Sequence, residues 1–350
     1  MHAVLQTPEL RDAIISNVGD NPKDLLSVAL TCRWFCEPAL LLMWREVCQY
    51  RPAVTVDDLL YLLPDSKVGR SDHGGPLCQA DLTANDIERL RYYSAFTRWL
   101  SLDDFRNGIL DVPSLSRIVA ALGGQPLFPK LQELFCGFAP ALPDHMSAIV
   151  SPSVRWLHMD VPELDKDVLD TLTRRTPSLE SLYFDVHDPR FRSDWLRSCL
   201  AGWQHLTTLS IALPNWDTEC VLAISAMPAL ASLSILRSFM QDEDQHRLNV
   251  RIPEVTHGNG RLDRLHISHA LGDGLGDPMD ILSVVHPTVL SAFSADSIHS
   301  ARSAKLASSR LLSICGPALL TDVRLEGHEG GGGGSARLGD IKSLLQMRNL

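Results

Sequence analysis

The chain has 350 residues, of which 45% are hydrophobic and 21% are charged, and its formal net charge is −10. This composition is ordinary for a globular protein and supplies enough apolar residues for a large core. The acidic balance offers no basic field for nucleic acid, and no apolar run is long enough to span a membrane. We therefore expect neither nucleic acid nor membrane as a partner, and we predict an intracellular location in the cytoplasm or the nucleus.

The chain lacks the local patterns that mark enzymes and metal centres. Its eight cysteines are scattered without a Cys-x-x-Cys pair, which favours reduced, buried thiols over a disulfide framework or a zinc site. No Gly-x-Ser-x-Gly elbow is present, and the glycine run at 330–334 lacks the Lys of a phosphate-binding loop. We predict no catalytic residues, no metal and no cofactor, and we interpret the glycine run as a flexible linker.

The first 47 residues carry three apolar stripes at helical spacing. Two of the predicted helices have start signals, because Thr7 and Asn21 can accept hydrogen bonds from free backbone amides and a proline follows each of them. Gly19 and Asp20 are expected to end the first helix. The stripes are formed by Leu10, Ile14 and Val18, by Leu25, Leu26, Ala29 and Leu30, and by Leu40, Trp44 and Val47.

These three predicted helices carry more apolar surface than so short a segment can bury on itself. Fewer than about 50 residues without a disulfide or a metal seldom hold a stable core alone. We therefore expect the surplus apolar face to dock on a neighbouring domain or on a partner.

The same segment resembles a known docking module. Its spaced residues are Leu5, Pro8-Glu9-Leu10, Ile14, Asp24-Leu25-Leu26-Ser27, Cys32-Arg33, Phe35, Glu37-Pro38-Ala39-Leu40 and Trp44-Arg45. This string is similar to the F-box, especially its basidiomycete-fungal form. It departs from many F-boxes at the start, where Gln6-Thr7 stand in place of an earlier Leu-Pro.

The F-box resemblance implies a role and a set of contact residues. In that family three helices hold a Skp-type adaptor, which connects to a cullin scaffold and a ubiquitin-charged conjugating enzyme. The F-box protein is then the non-catalytic substrate receptor of a ubiquitin ligase. Carried over residue by residue, the resemblance implies that the adaptor surface is built or contacted by Leu5, Pro8, Leu10, Ile14, Leu25, Leu26 and Trp44, some of which must serve the helical core instead.

A second pattern, apolar-x-x-apolar-x-apolar, recurs in the rest of the chain. Its six clear copies begin 23, 25, 27, 24 and 32 residues apart, and a proline stands two residues before four of them. Because proline cannot extend a helix, it releases the chain into a strand. Helical stretches alternate with these strands, as at 165–173 and 216–226. The copies begin at Leu131, Val154, Leu179, Leu206, Leu230 and Leu262, with looser ones at Thr97, Leu290 and Leu320.

The pitch and the leucine spacing resemble leucine-rich repeats, although no copy has that family's Asn just beyond the strand. The resemblance implies a curved α/β solenoid with parallel strands, in which each repeat buries its apolar edge on the next. We therefore predict an α/β protein of four segments. They are a three-helix F-box at 1–50, a helical connector with a polar loop at 51–95, degenerate repeats at 96–326, and a Gly-rich linker with a terminal helix at 327–350.

Alternate side chains of the predicted strands point away from the helices, onto the concave face of such a solenoid. In the first copies this face combines aromatic and acidic side chains, whereas two of the next strands are nearly all Ser and Thr. Aromatic and acidic groups suit the aliphatic and basic side chains of a protein substrate. The predicted substrate-binding residues are Trp99, Phe135, Trp156, His158, Asp160, Tyr183 and Asp185.

Three functions stay open at this point. We expect a substrate receptor of a Skp-cullin-F-box ligase. The first alternative is a repeat scaffold with a vestigial F-box that acts outside a ubiquitin ligase, and the second is a solenoid-based enzyme. For the aromatic residues the competing interpretation is packing against a loop or the connector, since a shift of one residue in register reverses the face of a strand.

Overall fold

The computed structural model describes residues 7–19, 21–47, 56–70, 76–102, 112–137, 146–161, 164–213, 218–236, 262–267, 290–296 and 322–326. The chain forms two compact units, Met1–Thr176 and Pro177–Leu350, and each is described by itself. Their boundary falls inside the segment predicted as one repeat array. Leu5 and the predicted linker and terminal helix at 327–350 lie outside the described residues. Among the helices described, none combines the length and apolarity needed to cross a membrane.

The first unit begins with three helices, α1 (Pro8–Ser16), α2 (Pro22–Thr31) and α3 (Arg33–Arg45). A proline occupies the first position of α1 and of α2, as predicted. Asn21 caps α2, because its side chain accepts a hydrogen bond from the Lys23 amide at 3.1 Å. Thr7 makes no such bond, so the prediction of a Thr7 cap is wrong. Beyond α1, Gly19 has a φ of +83°, a conformation that favours glycine.

The third helix is shorter than its apolar stripe predicted. Helix α3 ends at Arg45, and Val47 belongs instead to a two-residue strand, β1 (Glu46–Val47). Strand β1 pairs in parallel with β4 (Trp99–Ser101). Hydrogen bonding to a sheet thus overrides the local helical periodicity, and it attaches the three-helix segment directly to the first sheet.

The predicted connector contains more regular structure than a helix and a loop. Strand β2 (Val68–Arg70) falls inside the polar loop predicted at 66–76 and pairs antiparallel with β3 (Pro76–Cys78), which begins where that loop was expected to end, so this part of the prediction is wrong. Short strands in polar sequence carry too few alternating apolar residues to be recognised. The elements are α4 (Val56–Leu60), a single 3₁₀ turn (Asp65–Lys67), β2 (Val68–Arg70), β3 (Pro76–Cys78) and α5 (Ala84–Ser94).

An ion pair at the start of α5 holds this antiparallel pair in place. The Lys67 ammonium lies 2.5 Å from the Asp86 carboxylate and donates to the Asp81 carbonyl oxygen at 2.8 Å. Asp86 also accepts a hydrogen bond from the Thr83 amide at 2.7 Å, which completes a capping box with the Thr83 side chain. The hydrogen bond from Lys67 above all, and those from Thr83, lower the pKa of Asp86 to about 2.

Strands and helices alternate in the rest of the first unit. Its strands β1, β4, β5 (Glu133–Gly137) and β6 (Trp156–Val161) lie in this order in the sheet, and each neighbouring pair is parallel. The further elements are α6 (Val112–Leu122), β5 (Glu133–Gly137), α7 (Met146–Ile149), β6 (Trp156–Val161) and α8 (Lys166–Arg175).

The second unit continues the same alternation, and each strand pairs in parallel with the next. An α/β fold with parallel strands is therefore confirmed, and a strand lies within every predicted copy of the repeat. The elements are β7 (Ser181–Val186), α9 (Ser193–Gly202), β8 (Thr208–Ala212), α10 (Thr218–Ser225), β9 (Ser232–Leu236), β10 (Arg264–Ile267), β11 (Ala292–Asp296) and β12 (Asp322–Glu326).

The repeat is also visible in the backbone hydrogen bonds. Just before six of the described strands, one carbonyl accepts hydrogen bonds from two amides of the following copy. The Gln132 carbonyl accepts from Arg155 at 2.8 Å and Trp156 at 3.0 Å, and the Thr207 carbonyl accepts from the amides of 231 and 232. The same double acceptance occurs at Arg98, Glu180, Ala231 and Asp263. This regularity holds equivalent positions of neighbouring strands side by side within each unit.

The core lies between the sheet and the helices. The central leucines of the strands, such as Leu134, Leu157 and Leu209, have no exposed surface. The helices bury their apolar stripes against them, as each repeat cannot bury its edge alone. The buried helical residues are Val168, Leu169 and Leu172 in α8, Leu196, Cys199 and Leu200 in α9, and Cys220, Val221 and Ile224 in α10.

Candidate functional site

Large apolar side chains are exposed chiefly on the first three helices. Seven are exposed in the part of the chain that the structure describes, and five of them lie on α1–α3. Leu10 and Ile14 are neighbours one turn apart on α1, as are Leu26 and Leu30 on α2. We call these five residues the apolar helix surface: Leu10 (44% exposed), Ile14 (41%), Leu26 (46%), Leu30 (78%) and Leu41 (37%).

Other apolar side chains of this segment form the core beneath that surface. Leu25 and Trp44, which were predicted to belong to the adaptor surface, are 2% and 4% exposed and so pack inside the segment instead. The Trp44 ring lies 5.5 Å from the Tyr93 ring of α5, which anchors α3 to the rest of the unit. Of the other predicted residues, Pro8, Leu10, Ile14 and Leu26 are exposed.

Ile15 is a core residue that the sequence prediction missed. It is 1% exposed, whereas its neighbour Ile14, on the predicted stripe, is exposed. Both fit a helical period, and only the packing of α1 on α3 decides which of the two is covered. No local signal distinguishes them.

A second candidate surface lies on the sheet of the first unit. Trp99, Glu133 and Trp156 occupy one register row, and Phe135 pairs with His158 in the next. The Phe135 and His158 rings are 4.0 Å apart between centroids, and the Trp156 ring lies 5.9 Å from His158. The four ring side chains are half-buried and Glu133 is exposed. We call these five residues the aromatic face.

The imidazole in this face is uncharged near neutral pH. Burial lowers the pKa of His158 to about 4, because a protonated ring would lose hydration beside the Phe135 ring. Asp160 follows on the same strand and is half-buried. The aromatic face thus offers neutral rings bordered by carboxylates, which suits stacking against apolar or cationic side chains rather than proton transfer.

The corresponding positions of the second unit are mostly hydroxyl side chains. Tyr183 is half-buried on β7, and the same register row continues through Ser210, Ser234, His266 and Ser294. The His266 Nδ1 contacts the Ser294 hydroxyl, which ties β10 to β11. Beyond Tyr183 these four positions are therefore polar, with serine at every one except His266.

Asp185 is not available to a partner in the way the sequence predicted. It is 3% exposed, and its Oδ1 lies 3.7 Å from Nε2 of His187, whose side chain is also buried. Because side chains alternate along a strand, residues 185 and 187 lie on the same side at the end of β7. Their side chains are close together there, and both are buried. His187 was not among the predicted residues, because a single histidine after a strand carries no distinctive spacing.

Comparisons with known proteins leave the family open. No family model matches this chain, and no curated protein is similar to it at a significant level. The function has therefore to be inferred from the two surfaces themselves.

Proposed function

We propose that the chain is the substrate-recognition subunit of a Skp-cullin-F-box ubiquitin ligase, with α1–α3 as its F-box. The observation that carries the proposal is the unequal exposure of apolar side chains. Five large apolar residues are exposed on these three short helices, over a core that already contains Ile15, Leu25 and Trp44. A segment that is already folded has no structural need for this surface, so a partner is the simplest reason for it.

In this proposal the adaptor covers the apolar helix surface. Fully burying one Leu or Ile side chain contributes about 1.5–3 kcal/mol, so a partner that covers several of the five gains substantial affinity. Leu10, Ile14 and Leu26 are the residues on which the F-box resemblance and the observed exposure agree. Leu30 on α2 and Leu41 on α3 are exposed as well.

The repeat region then presents the target protein. Strand register and helix packing support a repeating α/β architecture in each unit, and its assignment as a curved leucine-rich-repeat solenoid is part of the proposal. The aromatic face is the proposed contact for a basic, Lys-rich segment, because rings and Glu133 can hold aliphatic stems and ammonium groups together. The protein itself performs no catalysis in this scheme.

Co-purification of the full chain with a recombinant Skp-type adaptor tests the adaptor surface. The double variant Leu10→Ala, Leu26→Ala should lose roughly tenfold or more in affinity, because contacts at the centre of such interfaces dominate binding. Tyr61→Ala is the matched control, since Tyr61 is 61% exposed but lies outside α1–α3. If the folded wild type does not capture the adaptor, the alternative of a scaffold outside a ubiquitin ligase replaces this proposal.

Proximity labelling in cells tests the target surface separately. The double variant Trp156→Ala, Glu133→Gln should change the set of labelled proteins while adaptor capture persists. Ser210→Ala, Ser234→Ala is the control, because these two hydroxyl side chains pair in register in the second unit, and the substitutions remove neither a ring nor a charge. Unchanged labelling in the first variant would remove the aromatic face from the proposal.

A further inference from the structure

A basic groove lies beside the three-helix segment and shares only Leu41 with the apolar helix surface. It has a volume of about 540 Å³ and lies among α1, the first half of α3, the residues before β4 and the turn before β5. That volume falls in the range of ligand-binding sites, about 300–1,000 Å³. Its charged lining consists of Arg11, Arg33, Arg98 and Lys130, with Asp12 and Glu37 as the only carboxylates among its lining residues.

The lining of this groove holds more cations than carboxylates. In the described part of the chain, none of the four forms an ion pair with a carboxylate. The guanidinium of Arg98 is turned to backbone carbonyls, donating to Ala95 at 2.8 Å and Thr97 at 3.2 Å. Four cations beside two carboxylates form a locally positive site in a chain whose formal net charge is −10.

Two further details favour an anionic ligand for this groove. The Nε of Arg11 is buried and has no hydrogen-bond partner among the described residues. Burial lowers the pKa of the Arg98 guanidinium, and the nearby positive charge of Arg45 lowers it further. An unpaired buried donor and crowded cations both cost free energy that a bound carboxylate or phosphate would recover.

The groove is also partly apolar. Two guanidinium groups lie over the Trp34 ring. The Arg33 Cζ is 5.0 Å from the ring centroid, and the Arg11 Cζ is 5.8 Å from it. These contacts hold two of the cations in position. Leu41, a member of the apolar helix surface, lines the same groove. A ligand that fits both features has clustered negative charges next to an apolar side chain.

We infer that this groove binds an acidic segment of a partner protein, with Arg11, Arg33 and Lys130 receiving carboxylate or phosphate groups and Trp34 and Leu41 receiving an apolar side chain. Asp12 and Glu37 disfavour a uniform polyanion such as nucleic acid, as does the negative charge of the whole chain. Binding is expected to weaken as salt is added, because salt screens partly exposed charges. The inference needs no adaptor and stands independently of the proposed function.

Fluorescence anisotropy with the full chain tests it. The probe is a short fluorescein-labelled peptide of clustered Glu residues with one Leu, and the control peptide replaces every Glu with Gln. We expect binding of the Glu peptide only, weakened by NaCl. A peptide with phosphoserine in place of one Glu distinguishes a phosphorylated from a purely acidic ligand, and both are acidic protein segments. No binding of either acidic peptide would overturn the inference.

The variant Arg33→Gln, Lys130→Gln removes two exposed cations and leaves the half-buried Arg11 in place, so the fold should persist by circular dichroism. Its affinity for the Glu peptide should fall roughly tenfold or more, as expected for losing charge-assisted hydrogen bonds. Arg89→Gln, which changes an exposed cation of α5 outside the groove, should leave the affinity unchanged. An equal loss in both variants, or equal competition by inorganic phosphate or a single-stranded oligonucleotide, would overturn the inference.

Discussion

Helices α1 and α8 have similar lengths, nine and ten residues, but they differ in how much of their apolar surface is buried. Helix α8 buries Val168, Leu169 and Leu172, whereas α1 buries only Ile15 and leaves Leu10 and Ile14 exposed. Helix α8 buries its apolar stripe in the core of the repeat region. The N-terminal helix leaves part of its stripe uncovered. The comparison teaches that exposure, rather than apolar content, separates residues that hold this fold from residues that are available to partners.

The largest effect is expected where this contrast falls on adjacent residues of α2. Leu25 is 2% exposed and Leu26 is 46% exposed. Leu25→Ala should lower the free energy of unfolding by about 2–5 kcal/mol, because it leaves a cavity in the helical core. Leu26→Ala should change it by no more than about 0.5 kcal/mol. Urea denaturation of both variants measures the difference, and equal losses would contradict the division into core and surface.

A smaller effect on stability is expected at the helix starts. Thr7 is the N-cap residue of α1, and Thr83 is the N-cap residue of α5. Only Thr83 belongs to a hydrogen-bonded cap, with Asp86 paired to Lys67. Asp86→Asn should cost about 1–3 kcal/mol at neutral pH, the value of hydrogen bonds to a charged group. Thr7→Ala, in urea denaturation under the same conditions, should have almost no effect.

The Asp86 effect should also depend on pH in a defined direction. Because the pKa of Asp86 is lowered from 3.8 to about 2, the carboxylate stabilises the fold above pH 3.8, and this stabilisation is lost as the pH falls towards 2. The stabilities of wild type and Asp86→Asn should therefore converge over that window. A difference that stays constant down to pH 2 would show that the ion pair is not its source.

A still smaller pH effect should distinguish the aromatic face from the hydroxyl-rich strands. The pKa of His158 is lowered from 6.5 to about 4, so the unfolded chain takes up the proton first as the pH falls. Stability should decline from pH 6.5 to about pH 4, and His158→Gln should remove about 1–2 kcal/mol of that decline, since the ring is only partly buried. Urea denaturation across this range checks it, and an unchanged pH profile in the variant would contradict it.

The smallest effect belongs to a surface ion pair between the repeat helices α9 and α10. Arg197 donates to Glu219 at 2.8 Å, but both side chains are about half exposed. A double-mutant cycle with Arg197→Ala and Glu219→Ala should give a coupling of about 0.2–1 kcal/mol, reduced by salt. A coupling several times larger would mean that packing of these helices depends on charge as well as on their buried residues.

Much of the strand architecture could be predicted from local pattern. The alignment of Phe135 with His158 and of Tyr183 with Ser210 follows from the apolar-x-x-apolar-x-apolar spacing, because side chains alternate along a strand. Elements without such a pattern were missed or misplaced. Strands β2 and β3 are too short to show a period, and Val47 left its helical stripe to pair with the sheet.

The candidate site was less predictable, because it depends on residues far apart in the chain. The exposure of Leu10, Ile14 and Leu26 agrees with the predicted docking surface, but Leu25 and Trp44 proved to be core. Asp185 was expected on an open face and is covered together with His187. The basic groove joins Arg11 to Lys130, and no spacing in the sequence could indicate that they line one site.

By itself the sequence determined the three N-terminal helices and the alternation and register of the repeats, because helical and strand periods are local properties of neighbouring residues. Only the tertiary structure decided which apolar side chains are covered. Ile15 is buried and Ile14 is exposed because α3 packs on one side of α1, and Trp44 is buried in part because Tyr93 stands beside it. Burial depends on contacts between segments that are far apart in the chain, and local sequence patterns do not encode those contacts.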